Sequence, residues 1–585
     1  MVVLPLAGCG VFGSDDGAQN AATRFLDAFA KGDNKAAGKL TDSADSATEL
    51  LDQVRSALEP ESVRARVDRV EEDGSNATVS FNVTWNFGER REWTYTGRFG
   101  MRGEDDAWTV HWEPTVVHPK LAAQQSMDLQ VDEPEFAPVL DRDGQVVLEP
   151  NQVVSVLFEA AKAGDAPAVA GALAGALTGF DNTITQQSIL DGSAKVEAGT
   201  PYQVAALRWN DYELVKPRIY DLPGVRFTSG PRLLAFDKAF APTLLPGLRK
   251  VVEADLAGKT GWRVVTVDVS GAEVEELFAK PAEPAKAAVT TLSTKIQNAA
   301  QATLATEPTA SMIVAMQPST GELLAVAQNA PADAQGALAL TSRYPPGSTF
   351  KIVTASAALL GGTVTATTPV GCPASITVDG RPIPNNDDFA KGMIPLHDAF
   401  AFSCNTTFAD LASKMAPSDL TDTAKQFGLG VDYVMPGATT VTGSVPPATN
   451  IVERAEDGFG QGKVVASPFG MALVASTVVT GTAPTPTLLR DKHTTADVEP
   501  EPVDPVVLLA VRDMMHRMAR GQPALAPFPD VRGKTGTAQF GDGTQSHAWF
   551  VGYQGDLAFG VLLSGAGGSS KAVAATSRFL AALAS

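Results

Sequence analysis

The feature that most constrains this chain is the stretch Tyr344-Pro345-Pro346-Gly347-Ser348-Thr349-Phe350-Lys351 and the apolar run that follows it. Two prolines and a glycine stop whatever precedes them, and no charge occurs between Lys351 and Gly361-Gly362. That pattern predicts a helix buried on all sides, with Ser348 in its first turn. Residues three apart share a helix face, so the Lys351 amine comes within reach of the Ser348 hydroxyl. A lysine in such a helix tends to lose its proton, which leaves a base beside a nucleophile. A surface lysine one turn from a capping serine is common, so S-x-x-K needs company before it signals chemistry.

At 585 residues the chain should hold about three or four domains of roughly 100–200 residues each. Its 46 Lys and Arg against 66 Asp and Glu leave a net charge of −20 with no basic stripe. Nucleic acid and electrostatic docking on anionic lipid are therefore disfavoured as partners. No run of about 20 apolar residues exists to span a bilayer. Leu6-Ala7-Gly8-Cys9, preceded by apolar Met1 to Pro5 and followed by Gly13-Ser14-Asp15-Asp16, is similar to a bacterial lipobox, although no Lys or Arg precedes it. The resemblance implies lipidation of Cys9; the alternative is an incidental cysteine. Of the three cysteines, Cys372 and Cys404 then remain. In an extracytoplasmic setting they can pair as a disulfide, or they can stay two buried thiols.

Four segments are expected: 1–18 as signal and tether, 19–118, 119–285 and 286–585. In the second, Asn20 to Ala30 and Ser46 to Leu58 carry helical apolar spacing. Ala77 to Phe87 then alternates strictly, with Val79, Phe81, Val83, Trp85 and Phe87 on one face. Helices followed by an antiparallel sheet suggest a cone of the NTF2-like kind. Between 119 and 285, Gln152 to Ala163 reads as helical and Trp262 to Val269 as a strand. Beyond 286, Ile313 to Met316 and Leu323 to Ala327 flank the turn Pro318-Ser319-Thr320-Gly321. A strand from Val531 to Ala538, a hairpin around Gln554-Gly555-Asp556 and a helix from Lys571 to Ala584 complete an antiparallel sheet flanked by helices. The fold class expected is multidomain α+β.

Two short motifs accompany Ser348 and Lys351, namely Ser403-Cys404-Asn405 and Lys534-Thr535-Gly536-Thr537. Each triplet is weak by itself, because Ser80-Phe81-Asn82 and Lys259-Thr260-Gly261 spell the same patterns elsewhere. Only the downstream triplets follow the serine in the order S-x-x-K, S-x-N, K-T-G within one domain-sized span.

That ordered set resembles the signature of the penicillin-recognising serine acyltransferases. Ser319 to Ala325, Gly458-Phe459-Gly460-Gln461-Gly462 and His547 to Tyr553 are similar to segments flanking the motifs in class B penicillin-binding proteins. Asp141-Arg142-Asp143-Gly144 resembles the opening of that class's linker/dimerisation domain, and the first hundred residues resemble the NTF2-like domain of the methicillin-resistance type. The resemblance implies a peptidoglycan D,D-transpeptidase that cross-links stem peptides ending in D-Ala-D-Ala and is inhibited by β-lactams. Ser348 would be the nucleophile, Lys351 its base and Ser403 the proton relay. Asn405 would hold the donor peptide's amide, Lys534, Thr535 and Thr537 its carboxylate, and Gly536 would let the strand lie flat against substrate. The backbone N–H groups of Ser348 and Thr537 would form the oxyanion hole. The resemblance implies no cofactor and places the enzyme on the outer face of the cytoplasmic membrane, lipid-anchored, with other cell-wall synthesis proteins as candidate partners.

Two rivals share the same domain: a β-lactam hydrolase and a non-catalytic muropeptide-binding scaffold. No E-x-x-L-N-type segment lies between the second and third motifs, which disfavours the hydrolase. The six histidines are scattered with no H-E-x-x-H, so no metal site is expected. No G-x-S-x-G elbow occurs, and neither G-K-T has a glycine five residues earlier, which removes the α/β-hydrolase and P-loop readings.

Overall fold

The structure is a computed structural model that describes residues 17–584 apart from 105, 106, 133, 135, 198 and 257. The lipobox and Cys9 lie outside the described residues. The chain divides into two compact units, one running to residue 135 and taking in 258–285, the other joining 136–257 to 286 onward. The stretch 119–285 is thus divided between the two.

In the first unit, helices Ala18–Lys31, Asn34–Gly38 and Ala44–Leu58 precede four antiparallel strands, Ser62–Asp73, Asn76–Asn86, Glu92–Glu104 and Ala107–Val110, in that order. The alternation expected of the second strand holds, with Val79, Phe81, Val83 and Trp85 at most 1% exposed. Phe25 meets Phe99, and Phe29 meets Trp85, edge-on at 5.6 Å, which fixes the first helix on the sheet. A second sheet sets Gly261–Asp268 between Gln125–Asp132 and Glu273–Lys280, all antiparallel. Its Trp262 packs edge-on against Phe87 at 5.6 Å, joining the two sheets in one core.

In the second unit, residues 136–257 form a sheet around the strand Val146–Phe158, which pairs with Tyr202–Arg208 and Val225–Ala235. The helix expected over Gln152 to Ala163 is therefore corrected to the end of this strand and the single 3-10 turn Ala160–Lys162. Val153, Val154, Ser155 and Val156 are all buried, because the strand is paired on both edges and covered on its faces. A doubly covered strand loses the period-two signature and looks like an apolar helix in sequence.

The rest of the unit is built on five antiparallel strands, β1 (Ser311–Gln317), β2 (Glu322–Gln328), β3 (Arg532–Phe540), β4 (Gln545–Gln554) and β5 (Leu557–Leu563), in the order β2-β1-β5-β4-β3. Strand β3 is an edge. The helices that matter to it are α1 (Lys351–Leu360), α2 (Leu396–Ala401), α3 (Asn405–Ser413), α4 (Pro468–Thr480), α5 (Pro505–Arg520) and α6 (Ser570–Ala584). Neighbouring residues of β5 face opposite ways, and each meets a helix. Phe559 touches Phe579 of α6, whereas a Cβ on Gly560 would stand 2.5 Å from the Pro468 carbonyl of α4. Helix α4 lies so close that only glycine fits beneath it.

Candidate active site

The turn that presents Ser348 is fixed by two interlocked glycines. Gly347 (φ +53°) donates its N–H to the Gly460 carbonyl at 2.8 Å. Gly460 (φ +77°) approaches so closely that a Cβ there would sit 2.0 Å from the Gly347 oxygen. Trp549 of β4 adds an Nε1–H donated to the Pro345 carbonyl at 2.9 Å. Residues Gly347–Phe350 form a 3-10 turn that runs into α1. Side chains at i and i+3 eclipse in a 3-10 turn, so Lys351 stands directly over Ser348. The helix is buried from Lys351 to Ala358, as the apolar run demands.

Lys351 is fully buried, with Nζ 3.0 Å from Ser348 Oγ. The amine donates to Asn405 Oδ1 at 2.7 Å and to the Ser403 carbonyl at 2.8 Å, and it lies 3.3 Å from Ser403 Oγ. Both strong acceptors are oxygens that cannot donate, so two N–H bonds are spoken for and the remaining amine position faces Ser348. Burial pushes the Lys351 pKa well below that of a free lysine, and the nearby Lys534 charge pushes it further. Lys534, also fully buried, donates to Ser403 Oγ at 2.9 Å and to the Thr535 carbonyl at 3.0 Å. Burial lowers its pKa to about 7. Hydroxyl, amine, hydroxyl and amine thus form one hydrogen-bonded chain from Ser348 to Lys534.

Ser403 sits in the sharp corner between α2 and α3 with φ +64°, a left-handed conformation that costs a non-glycine residue on the order of 1–3 kcal/mol. Its carbonyl is thereby turned onto Lys351. Cys404 is disulfide-bonded to Cys372, with Cα atoms 5.9 Å apart, so the middle residue of this motif ties the corner to the strand Pro369–Cys372. Asn405, the first residue of α3, gives its carbonyl to Lys351 and its Nδ2 to the Pro384 carbonyl at 3.3 Å. Its oxygen therefore holds the lysine before any substrate arrives.

These groups open on a cleft of about 620 Å³ lined by Ser348, Ser403, Asn405, Thr535, Thr537 and Gln539 among others. Thr537 Oγ1 accepts the Ser569 N–H at 3.2 Å. Gly536 faces the other way, and this corrects the reason given for it. A Cβ there would lie 2.8 Å from the Pro346 carbonyl, 2.9 Å from Thr349 Cγ2 and 3.0 Å from Trp549 Cβ. The glycine makes room for the turn carrying Ser348, not for substrate.

The structure brings Ser348, Lys351, Ser403, Asn405, Lys534, Thr535 and Thr537 to this one cleft. Both decoys fall in the first unit, Ser80-Phe81-Asn82 on its sheet and Lys259 exposed in an ion pair with Glu283 at 2.7 Å. Sequence reasoning missed the support from Gly347, Gly460, Trp549 and Ser569. The three glycines in Gly458 to Gly462 were the signal that could have found the first two. Nothing in the sequence marks Ser569.

Residues 311–583 match the family described as the penicillin binding protein transpeptidase domain, and residues 17–125 match the NTF2-like N-terminal transpeptidase domain. The peptidoglycan D,D-transpeptidase PbpA of Mycolicibacterium smegmatis is 28% identical over 291 residues, covering 42% of this chain and 59% of that protein. The chain thus spans about three fifths of that relative's length. Penicillin-binding protein 3 of Bacillus subtilis is 24% identical over 527 residues, covering 77% of this chain and 76% of that protein. A solved complex between penicillin-binding protein PBP2 and MreC from Helicobacter pylori matches with a TM-score of 0.60 and 16% identity, over 77% of this chain and 98% of that one. That likeness is one of fold.

Proposed function

We propose, from a chain that carries the penicillin-binding-protein transpeptidase domain behind an NTF2-like N-terminal domain, a peptidoglycan D,D-transpeptidase working through a Ser348 acyl-enzyme. The observation that carries the reading is the continuous contact chain from Ser348 through Lys351 and Ser403 to Lys534, opening on the cleft.

Lys351, neutral at working pH, accepts the Ser348 proton as the serine oxygen attacks the penultimate D-Ala carbonyl of a donor stem. The N–H groups of Ser348 and Thr537 stabilise the oxyanion, a contribution worth roughly 10²–10³ in rate per donor. The tetrahedral intermediate collapses to the ester as the C–N bond breaks. The Ser403 hydroxyl relays the proton from Lys351 to the leaving D-Ala amine. Lys534, while protonated, attracts the terminal carboxylate, which the hydroxyls of Thr535 and Thr537 receive. An amine of a neighbouring stem then takes the acyl group. Asn405 acts first as the positioning partner of Lys351, and its second amide hydrogen remains to meet the donor peptide.

Cys9 as a lipidation site, an outer-face location and association with other cell-wall synthesis proteins belong to the same reading. The test is labelling of the full chain with a fluorescent penicillin, followed by peptide mapping and intact mass. A long-lived adduct on the Ser348 peptide, lost in Ser348→Ala, is expected. Rapid turnover of the adduct would make the protein a hydrolase, and no adduct at all would make it a scaffold.

A further inference from the structure

We propose that Gln461 ends the docking edge of β3 and so fixes how much of a donor peptide can pair with it, making this residue a specificity determinant of the proposed reaction. The inference rests on the reading of the cleft given above.

An edge strand offers unpaired main-chain groups to an incoming peptide. Strand β3 is such an edge, and its outer side borders the cleft. Oriented to satisfy both groups, the Gln461 side-chain amide donates to the Gln539 carbonyl at 3.3 Å and accepts the Gln539 N–H at 3.0 Å. A primary amide in this position imitates one residue of a neighbouring strand. It also reveals the phase of the strand. Because Gln539 directs its main-chain groups outward, period two makes Thr537 and Thr535 do the same. Two observations agree. The Thr535 carbonyl accepts from Lys534 Nζ at 3.0 Å, and the Thr537 carbonyl lies 2.9 Å from where a Cβ on Gly347 would stand.

The outer edge is therefore occupied at both ends. Lys534 takes the Thr535 carbonyl, and Gln461 takes both groups of Gln539, which leaves Thr537 as the residue with N–H and carbonyl open to a peptide. With its carboxylate toward Thr535, a donor runs antiparallel to β3, so the residue before D-Ala-D-Ala faces Ala538, whose main-chain groups point inward, and the second residue before D-Ala-D-Ala arrives at Gln539. Gln461 stands in its place. The penultimate D-Ala pairs with Thr537, and the preceding stem residues are turned off the edge, held by side-chain contacts or not at all. Pairing thus reads only the last two residues, so donors that differ further back can share the site.

The experiment measures how well N-acetyl-D-Ala-D-Ala and N-acetyl-Gly-Lys-D-Ala-D-Ala slow fluorescent-penicillin labelling of the full chain, in wild type and in Gln461→Ala and Gln461→Asn. Asn keeps the amide but is too short to span to Gln539. The quantity read is the ratio of the two inhibition constants within each protein, so a common change in labelling rate cancels. In wild type the longer peptide should gain less than about threefold over the shorter. In both variants, where one further residue can pair, it should gain roughly tenfold. An unchanged ratio in both variants would overturn the inference, whether or not overall labelling falls, and would leave Gln461 as a support for the loop that holds Gly347. Wild type that is not labelled at Ser348 would sink the reading of the cleft itself, and this inference with it.

Discussion

Two buried amines stand one serine apart, and the proposed mechanism asks opposite things of them. Lys351 must be neutral to accept a proton, and Lys534 must be charged to attract a carboxylate. Burial lowers both, Lys351 well below the free value and Lys534 to about 7. The second-order rate of penicillin acylation reports the free enzyme. It should rise on the acid side as Lys351 loses its proton and fall above about pH 7, by roughly tenfold per pH unit, as Lys534 loses its own. Lys534→Arg, which stays charged, should be slower but flat over that alkaline range. A wild-type rate still climbing at pH 9 would refute the assignment. Stability should move with the same group. A lysine whose pKa drops from 10.5 to about 7 on folding binds fewer protons folded than unfolded between those values, so thermal stability should rise with pH across that window. At this scale the sequence was informative about chemistry and less so about geometry. It singled out Ser348, Lys351, Ser403, Asn405 and Lys534, which the fold brings into contact, because their types and order are local text. It misassigned the reason for Gly536, because what a missing side chain makes room for is decided by Pro346 and Thr349, far away in the chain.

Among the elements, the corner between α2 and α3 is both strained and cross-linked. Ser403 adopts a left-handed backbone there, and the residue that follows is cross-linked to Cys372 across 32 residues. Such a loop closure is worth roughly 2–4 kcal/mol when the native geometry accommodates it. The disulfide, Cys372, Ala399 and Cys404 form a small buried cluster of their own, with Val370, Phe389 and Ile394 against it. The bond should therefore hold the Ser403 carbonyl and Asn405 on Lys351 as well as stabilise the lobe. Cys372→Ser, which leaves the motif itself intact, is expected to lower the thermal midpoint by several degrees. It should also slow penicillin acylation by about tenfold, with the acid limb of the pH profile displaced because the partners of Lys351 are no longer fixed. Loss of stability with an unmoved pH profile would reduce the bond to a structural clamp. Elements with one solvated face were legible in the sequence, as Val79 to Trp85 illustrates. The strand Val146–Phe158 was not, because cover on both faces erases the period that distinguishes strand from helix.

At the scale of the whole chain, the part that departs furthest from a linear reading is 258–285. Its strand Gly261–Asp268 pairs with Gln125–Asp132 from more than a hundred positions earlier, and Trp262, Val264 and Met127 belong to the same core as Phe81 and Trp85. Register between such distant segments is set by tertiary packing, which no local pattern encodes. The consequence for dissection is concrete. Removing residues up to 118 would strip the helices and the first sheet from this core while leaving Trp262 and Val264 behind, now exposed on a three-stranded remnant. Removing residues up to 135, and replacing 258–285 by a short Gly/Ser linker, would instead delete one compact unit entire. If the unit serves only as a spacer, the second deletion should remain soluble and acylate Ser348 within about threefold of the full chain. The first should aggregate or show a lowered first unfolding transition, with the acylation of its soluble fraction preserved. A loss of more than about thirtyfold in the clean deletion would mean that the NTF2-like unit acts on the cleft and is not merely a spacer. The comparison of the two deletions, read by penicillin acylation rate and light scattering, separates a foldable boundary from a functional one.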